Sequence, residues 1–526
     1  MNNNARVAVA LVALSFLGMS STRAWAQAPP AAGNPPESAP AAPKPSTPPE
    51  APKEETSVTD HTIKIAGQTI PYKATAGTIL IKNEKDEPTA SMFYIAYIRS
   101  DVKDTSQRPL AFLYNGGPGS SSTWLHMGAF GPKRIVTTNA QETPPPPYQL
   151  EDNANCLLDA ADLVFIDPVG TGFSKAVGDG KDKDFWGVDQ DVKSLAQFIL
   201  RYVSHNLRWN SPKFLIGESY GTFRDAALVD YLQANEGMYF NGVVMISTVL
   251  NLETLTFNTG SDISYIVYLP SYAAVAWYHN ALANKPADLD AFLRDARQFA
   301  GTEYAAALAK GSSISPEEKA AVLKKLSYFT GLSEDYLDKA NLKVQLFQFM
   351  DELQRAHGLM LGRYDARFLG PNLDLLSEFA SYDPSEAAIR GPFTAAVNQY
   401  LRQDLQCNKD QKYMIINDSI EEWDWKHKGP NGPSDPTAPP NVEADLADAL
   451  VTNTHLQVQV ENGYFDLATP FFATEHTMDH LGLPTALRDH IHLEYYDAGH
   501  MMYLHEDDLV KLKGNIASFI ASASKP

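Results

Sequence analysis

The chain has 526 residues, of which 44% are hydrophobic and 10% aromatic, enough to bury a large core and too many for a chain disordered throughout. Its 63 acidic against 43 basic residues give a formal net charge of -20, which repels polyanions and gives no support to nucleic-acid binding. Cys156 and Cys407 are its 2 cysteines, so at most one intramolecular disulfide is available, and the sequence leaves their pairing open.

Residues 1–26 have the form of a secretory signal, with Arg6 in a short polar start, an apolar run from Val7 to Met19, and Ala24-Trp25-Ala26 as a small-residue cleavage site. That run is short for a bilayer span and no later stretch reaches the needed length, so export to the periplasm or beyond, without a stable membrane anchor, is expected. Residues 27–58 are mostly Pro, Ala, Ser and charged residues, which bury too little apolar surface to offset the entropy of ordering, and read as a linker.

Residues 59–256 read as the first part of an α/β core. Thr62–Ile65, Thr69–Tyr72, Thr78–Ile81 and Met92–Tyr97 alternate with turn signals and predict antiparallel hairpins at a sheet edge. Pro109–Tyr114 reads as a buried strand. It runs into Asn115-Gly116-Gly117-Pro118-Gly119-Ser120-Ser121-Ser122, whose glycines leave backbone N–H groups free on a tight curve, as a pocket for an oxyanion requires. Leu163–Ile166 is another apolar run, capped by Asp167–Ser174, and Val188, Val192, Leu195, Phe198, Ile199 and Tyr202 keep helical spacing. Next, Lys213–Ile216 ends in Gly217-Glu218-Ser219-Tyr220-Gly221 and continues into a helix-like run to Val229. A serine hydroxyl is a poor nucleophile, and a strand-to-helix turn exposes it where a base reaches it and a helix N-terminus favours developing negative charge. This alternation predicts a mainly parallel, doubly wound sheet with ligands at the carboxyl ends of its strands.

After the strand Val243–Ile246 the alternation stops. Residues 257–442 read as an inserted, mostly helical cap, with helices over Ile263–Trp277, Ala287–Ala309, Pro316–Leu326, Ser333–Leu342 and Pro384–Arg402. The core resumes over 443–526: Leu456–Val460 leads to Asp466, and Ile491–Tyr496 leads to His500. Ser219, Asp466 and His500 thus follow separate strands in the chain order of nucleophile, orienting acid and base that an α/β-hydrolase sheet imposes. His476 and His480 share a helix face but lack the glutamate of His-Glu-x-x-His, so they read as a solvated face, and no metal or other cofactor is expected.

Asn115–Gly119, Asp167–Ser174, Gly217–Gly221, Asn462-Gly463-Tyr464-Phe465-Asp466 and Ala498-Gly499-His500-Met501 together resemble the serine carboxypeptidase family, peptidase family S10. The resemblance implies an α/β-hydrolase fold with a helical insertion over the active site, Ser219 as nucleophile, His500 as base and Asp466 as its partner. It also implies an oxyanion hole from the backbone N–H groups of Gly117 and Tyr220. Substrate contacts then fall to Asn115, Gly116 and Glu218, with Asn115 and Glu218 holding the terminal carboxylate. Two positions depart from the family's pattern: Ser120 replaces a cysteine after Pro-Gly, and Ala129 stands where a second carboxylate-binding glutamate is common. Arg224, just past the elbow, is one candidate to replace that glutamate through a bidentate contact, although an outward structural arginine is the commoner case.

The leading expectation is an exported serine-type carboxypeptidase acting on peptides with a free C-terminal carboxylate through an acyl-enzyme. An esterase, acyltransferase or lyase on the same scaffold is the enzymatic alternative, since fold does not settle function. A catalytically silent binding protein is the alternative of another class, and the intact set of Ser219, Asp466, His500 and glycine loop argues against it.

Overall fold

The computed structural model describes residues 52–420 and 422–525. The signal-like segment 1–26 and most of the Pro-rich stretch lie outside the described residues.

Nine strands make the path of the central sheet: β1 (Thr56–Ile65), β2 (Gln68–Lys82), β3 (Pro88–Arg99), β4 (Leu110–Tyr114), β5 (Asp162–Ile166), β6 (Lys213–Glu218), β7 (Gly242–Ile246), β8 (Gln457–Gly463) and β9 (Ile491–Tyr496). Their spatial order is β1-β2-β3-β5-β4-β6-β7-β8-β9, and the short strand Lys175–Ala176 pairs with β3. Pairing is antiparallel from β1 through β3 to β5 and parallel from β5 to β9.

The expected edge hairpins differ in one respect. Thr69–Tyr72 and Thr78–Ile81 belong to a single strand, β2, because Lys73–Gly77 pairs with β1 on one side and β3 on the other. Gly77 marks a close approach instead of a turn: a Cβ there would lie 3.0 Å from Thr56 Cγ2 and 3.1 Å from the Tyr94 hydroxyl. β1 also begins at Thr56, inside the stretch read as linker.

The central strands are apolar throughout because both of their faces are covered. Ala111 and Leu113 of β4 point into one cluster with Phe214, Ile216, Val244 and the helix Glu506–Ala523. Their neighbours Phe112 and Tyr114 point into the other, with Leu215, Val243 and the helices α1 (Val188–His205) and α2 (Tyr220–Glu236). Two-residue alternation thus sends successive side chains to opposite layers.

Between β7 and β8 the chain is mainly helical. α3 (Ile263–Tyr278), Leu289–Phe299, Pro316–Thr330, Glu334–Lys339 and Leu346–Glu352 contribute to a third apolar cluster that includes Phe465, Leu467 and Phe471, the residues around Asp466. The expected helix Ala287–Ala309 is interrupted by a π-helical turn, Ala300–Tyr304. Ser315 and Glu318 form a capping box at the start of Pro316–Thr330. Pro384–Gln403 packs elsewhere, in the sheet-face cluster with Phe93 and Phe130.

His427 ties the later part of this region to the core, with Nδ1 and Nε2 each 2.7 Å from a carboxylate, Asp189 of α1 and Asp445 of the helix Glu443–Thr452. Burial alone would lower its pKa, but its hydrogen bonds to the two carboxylates push it up to about 9. A raised histidine pKa stabilises the fold fully below the unfolded value and loses that contribution as pH rises through the folded one. Tm is therefore expected to fall as pH rises from 6.5 through about 9. His427→Gln should flatten that slope; an equal slope in both proteins would assign it to other groups.

Candidate active site

Ser219 caps α2 with φ 60° and ψ -129°, a conformation rare for a residue with a Cβ and retained only where surrounding structure fixes it. Its backbone N–H donates to the Ile246 carbonyl at 2.9 Å, and its carbonyl accepts from Thr222 N–H at 2.8 Å. Glycine relieves crowding on both sides, most sharply at Gly217. A Cβ on Gly217 would fall 2.3 Å from Asp225 Oδ2 and 2.4 Å from the Gly221 carbonyl oxygen, and one on Gly221 would press on the Tyr114 carbonyl at 3.1 Å. The Ser219 hydroxyl is partly exposed and makes no hydrogen bond among the described residues.

Asp466 follows β8 on a tight turn, fully buried, and accepts from the N–H groups of Ala468 at 2.7 Å and Thr469 at 3.0 Å. Its other oxygen accepts from the Thr469 hydroxyl at 2.7 Å and stands 2.7 Å from His500 Nδ1. With the Nδ1 proton directed at Asp466, Nε2 keeps the lone pair that a base needs. The backbone fixes His500 at both ends: its N–H donates to the Tyr364 carbonyl at 2.6 Å, and its carbonyl accepts from the Ser247 hydroxyl at 2.6 Å. Ser247 directly follows Ile246, which holds Ser219, so the turns after β6, β7 and β9 are hydrogen-bonded into one unit. Burial alone would lower the His500 pKa, but the Asp466 charge and hydrogen bond, with Glu218 adding to them, raise it above 6.5.

The glycine loop lies directly against the elbow. A Cβ on Gly116 would sit 2.4 Å from Tyr220 N and 2.7 Å from Gly221 N, and Gly117 has φ 108°. Asn115 Nδ2 donates to Glu218 Oε1 at 2.8 Å, joining the two expected carboxylate-binding side chains. Glu218 is 2% exposed, and burial pushes its pKa up to about 7, against the lowering effect of His500, Tyr503 and Asn115. Tyr503 stands beside it, close enough that its hydroxyl helps lower the Glu218 pKa, yet Glu218 Oε2 and the buried Tyr503 hydroxyl make no hydrogen bond of good geometry.

Arg224 neither replaces the missing glutamate nor faces outward. It is 1% exposed, its Nε donates to Asp191 Oδ2 at 2.6 Å and its Nη1 to the Asn115 carbonyl at 2.9 Å, and its guanidinium packs on the Tyr114 and Tyr220 rings. The side chain supports the loop from behind. Ala129 is fully buried in a π-helical segment, Leu125–Phe130, which directs no polar group at Glu218 from that position.

Three contributors escaped the sequence reading. Thr469 braces the Asp466–His500 pair, its hydroxyl 3.1 Å from His500 Nδ1. Tyr364 places its ring 5.2 Å from that of His500, and the Arg363 guanidinium lies 5.6 Å from the Tyr364 ring centroid with no ion pair among the described residues. Tyr503 approaches Glu218 from a short turn, Met502–Leu504. Thr469 and Tyr503 each lie within three residues of a recognised motif; Tyr364 sits in the irregular region, where local pattern carries no signal.

The His476 and His480 rings lie 4.0 Å apart, tilted by 34° to each other, with His480 Nδ1 2.7 Å from the His476 carbonyl oxygen. No cluster of three His, Cys, Asp or Glu suited to a metal is found among the described residues. Cys156 and Cys407 are separate buried thiols.

A mainly parallel sheet with helices on both faces and a serine on a strained strand-to-helix turn define an α/β hydrolase. Within that class the chain belongs to the serine carboxypeptidase family, whose model matches residues 66–494. It is 35% identical over 135 residues to the human retinoid-inducible serine carboxypeptidase, covering 25% of this chain and 27% of that protein. It is 28% identical over 147 residues to the Saccharomyces cerevisiae pheromone-processing carboxypeptidase KEX1, covering 26% of this chain and 19% of that one. The matched stretches thus span under a third of these relatives' length. A crystal structure of the prohormone-processing carboxypeptidase Kex1 from Saccharomyces cerevisiae superposes with a TM-score of 0.52 at 16% identity, covering 86% of this chain and 91% of that chain. At that identity the likeness is one of fold.

Proposed function

We propose that the chain is an exported serine-type carboxypeptidase, its mature form beginning at Gln27, that removes C-terminal residues from peptides. The observation that carries this reading is the adjacency of Ser219 to Glu218, a buried carboxyl with one oxygen free and a pKa near neutrality.

In this reading, Ser219 Oγ attacks the carbonyl of the last peptide bond while its proton passes to His500 Nε2. Asp466 holds the ring and stabilises the imidazolium without taking the proton. The N–H groups of Gly117 and Tyr220 receive the oxyanion, which is stabilised without reorganisation because the dipoles are fixed in advance. Collapse of the tetrahedral intermediate passes the proton to the leaving amine, and a water molecule then releases the acyl group by the same steps in reverse. The helical insertion over 257–442 forms the wall against the residues flanking the bond, a role supported by the Tyr364 ring beside His500.

The terminal carboxylate sits against Asn115 and Glu218. Two carboxyl groups in contact share one proton, so neutral Glu218 binds the substrate and ionised Glu218 repels it. The groups acting on Glu218 are Asn115, His500, Tyr503 and Asp466, and it acts in turn on Tyr364. For free-acid peptides KM is expected to rise roughly tenfold over the two pH units centred on the Glu218 pKa. Amides of the same peptides should not show that rise, and Glu218→Gln should remove it. Steady-state kinetics on matched acids and amides provides the check, and parallel profiles for both substrate types in the parent would remove Glu218 from carboxylate recognition.

A further inference from the structure

We infer that the Tyr503 hydroxyl is a second donor to the substrate's terminal carboxylate, completing with Glu218 and Asn115 a pocket that Ala129 leaves short of a polar group. The inference rests on the carboxypeptidase reading and deepens it by naming the residue that selects an acid over an amide. Its starting point is a pair of orphans. Glu218 Oε2, at the end of β6, and the Tyr503 hydroxyl, on the turn Met502–Leu504, are buried side by side with no hydrogen bond among the described residues. An unmade hydrogen bond on a buried polar atom is costly, and two such atoms close enough to act on each other beside the nucleophile point to a ligand that satisfies both.

The free atoms define the ligand's chemistry. Oε1 of Glu218 already accepts from Asn115 Nδ2 at 2.8 Å, which leaves Oε2 to carry the proton of the neutral acid. Two donors, Glu218 Oε2–H and Tyr503 O–H, then address one ligand, and a carboxylate offers one oxygen to each. A carboxamide offers one oxygen and an NH2 group that accepts from neither, so one buried donor is left unsatisfied, the situation that gives strong discrimination. Room for the phenol comes from the neighbouring segment. A Cβ on Gly128 would lie 2.7 Å from Tyr503 Cε2 and 2.9 Å from Cδ2, so the ring rests directly on that glycine, one residue before Ala129.

The two donors differ in pH response. Burial, reinforced by the Glu218 charge and opposed by Asn115, holds the phenol well above its usual value of 10.0, so it remains a donor throughout the range in which Glu218 ionises. Tyr503→Phe should therefore lower the acid-to-amide ratio of kcat/KM by about tenfold or more, chiefly through KM, and by the same factor below and above the Glu218 pKa. The effect of Glu218→Gln should instead depend on pH. Tyr503→Phe removes a hydroxyl that makes no hydrogen bond of good geometry, so Tm should change little. Gly128→Ala tests the seat independently, since the new methyl must displace the ring, and it should bring the same selective loss. An unchanged acid-to-amide ratio in both variants of an active enzyme, or a loss shared equally by acids and amides, overturns the inference alone. A parent enzyme that cleaves no free-acid peptide yet labels at Ser219 with a phosphonate overturns the carboxypeptidase reading and this inference with it.

Discussion

Replacement of Ser219 by alanine is expected to abolish covalent labelling by phosphonates and to lower kcat by about 10⁴- to 10⁶-fold, with the fold intact. The fold survives because Ala keeps the Cβ that the φ of 60° already accommodates, and because the hydroxyl removed makes no hydrogen bond among the described residues. His500→Ala should cost a similar factor in kcat and lower Tm as well, since it leaves the buried Asp466 carboxylate with only the two backbone N–H groups and the Thr469 hydroxyl. Asp466→Asn should retain weak activity, roughly 10⁴-fold below the parent, because the amide no longer holds the imidazole in the tautomer that leaves Nε2 free. Single-turnover kinetics with an activated ester and circular dichroism on the three variants separate loss of chemistry from loss of structure. Retained turnover without Ser219, or negligible effects of both other substitutions, would place the triad elsewhere.

The elements that the sequence made legible are those governed by local rules. Apolar runs such as Leu163–Ile166 are strands buried on both faces, and in the Gly217–Gly221 turn a Cβ at Gly217 has no room. Asp466 and His500 are legible as candidates because each follows a strand whose end position is set by topology. What escaped is set by tertiary burial. Arg224 is next to the elbow in sequence, yet the helix turns it inward onto Asp191, and no local pattern distinguishes an inward arginine from an outward one. Tyr503 faces Glu218 only because Gly128, nearly four hundred positions earlier, leaves space for its ring. The continuity of β2 was hidden because Gly77 serves a crossing between strands, whereas glycine in sequence more often signals a turn. The same limit applies to Tyr364, whose carbonyl anchors His500 from a region with no strand or motif signal.

Loss of the Arg224–Asp191 pair should destabilise the protein by about 3–5 kcal/mol, because neither side chain reaches water. Side-chain exposure is 0% for Arg224 and 2% for Asp191, and burial raises the Asp191 pKa even with the guanidinium lowering it. Arg224→Met leaves that carboxylate buried with no cation, and Asp191→Leu leaves the guanidinium on the Tyr114 and Tyr220 rings with no anion. Combining the two substitutions removes both charges, so the double variant should recover much of the lost Tm, a coupling that a thermodynamic cycle measures directly. Function should not recover in parallel. Arg224 Nη1 also donates to the Asn115 carbonyl, and Asn115 in turn donates to Glu218, so without the guanidinium the glycine loop loses its support at the point proposed to hold the substrate carboxylate. The stabilised double variant is therefore expected to hydrolyse activated esters better than free-acid peptides when each is compared with the parent. If Tm were unaffected in both single variants, or if free-acid peptides and esters lost activity equally in the double variant, Arg224 would be a packing residue without influence on the loop.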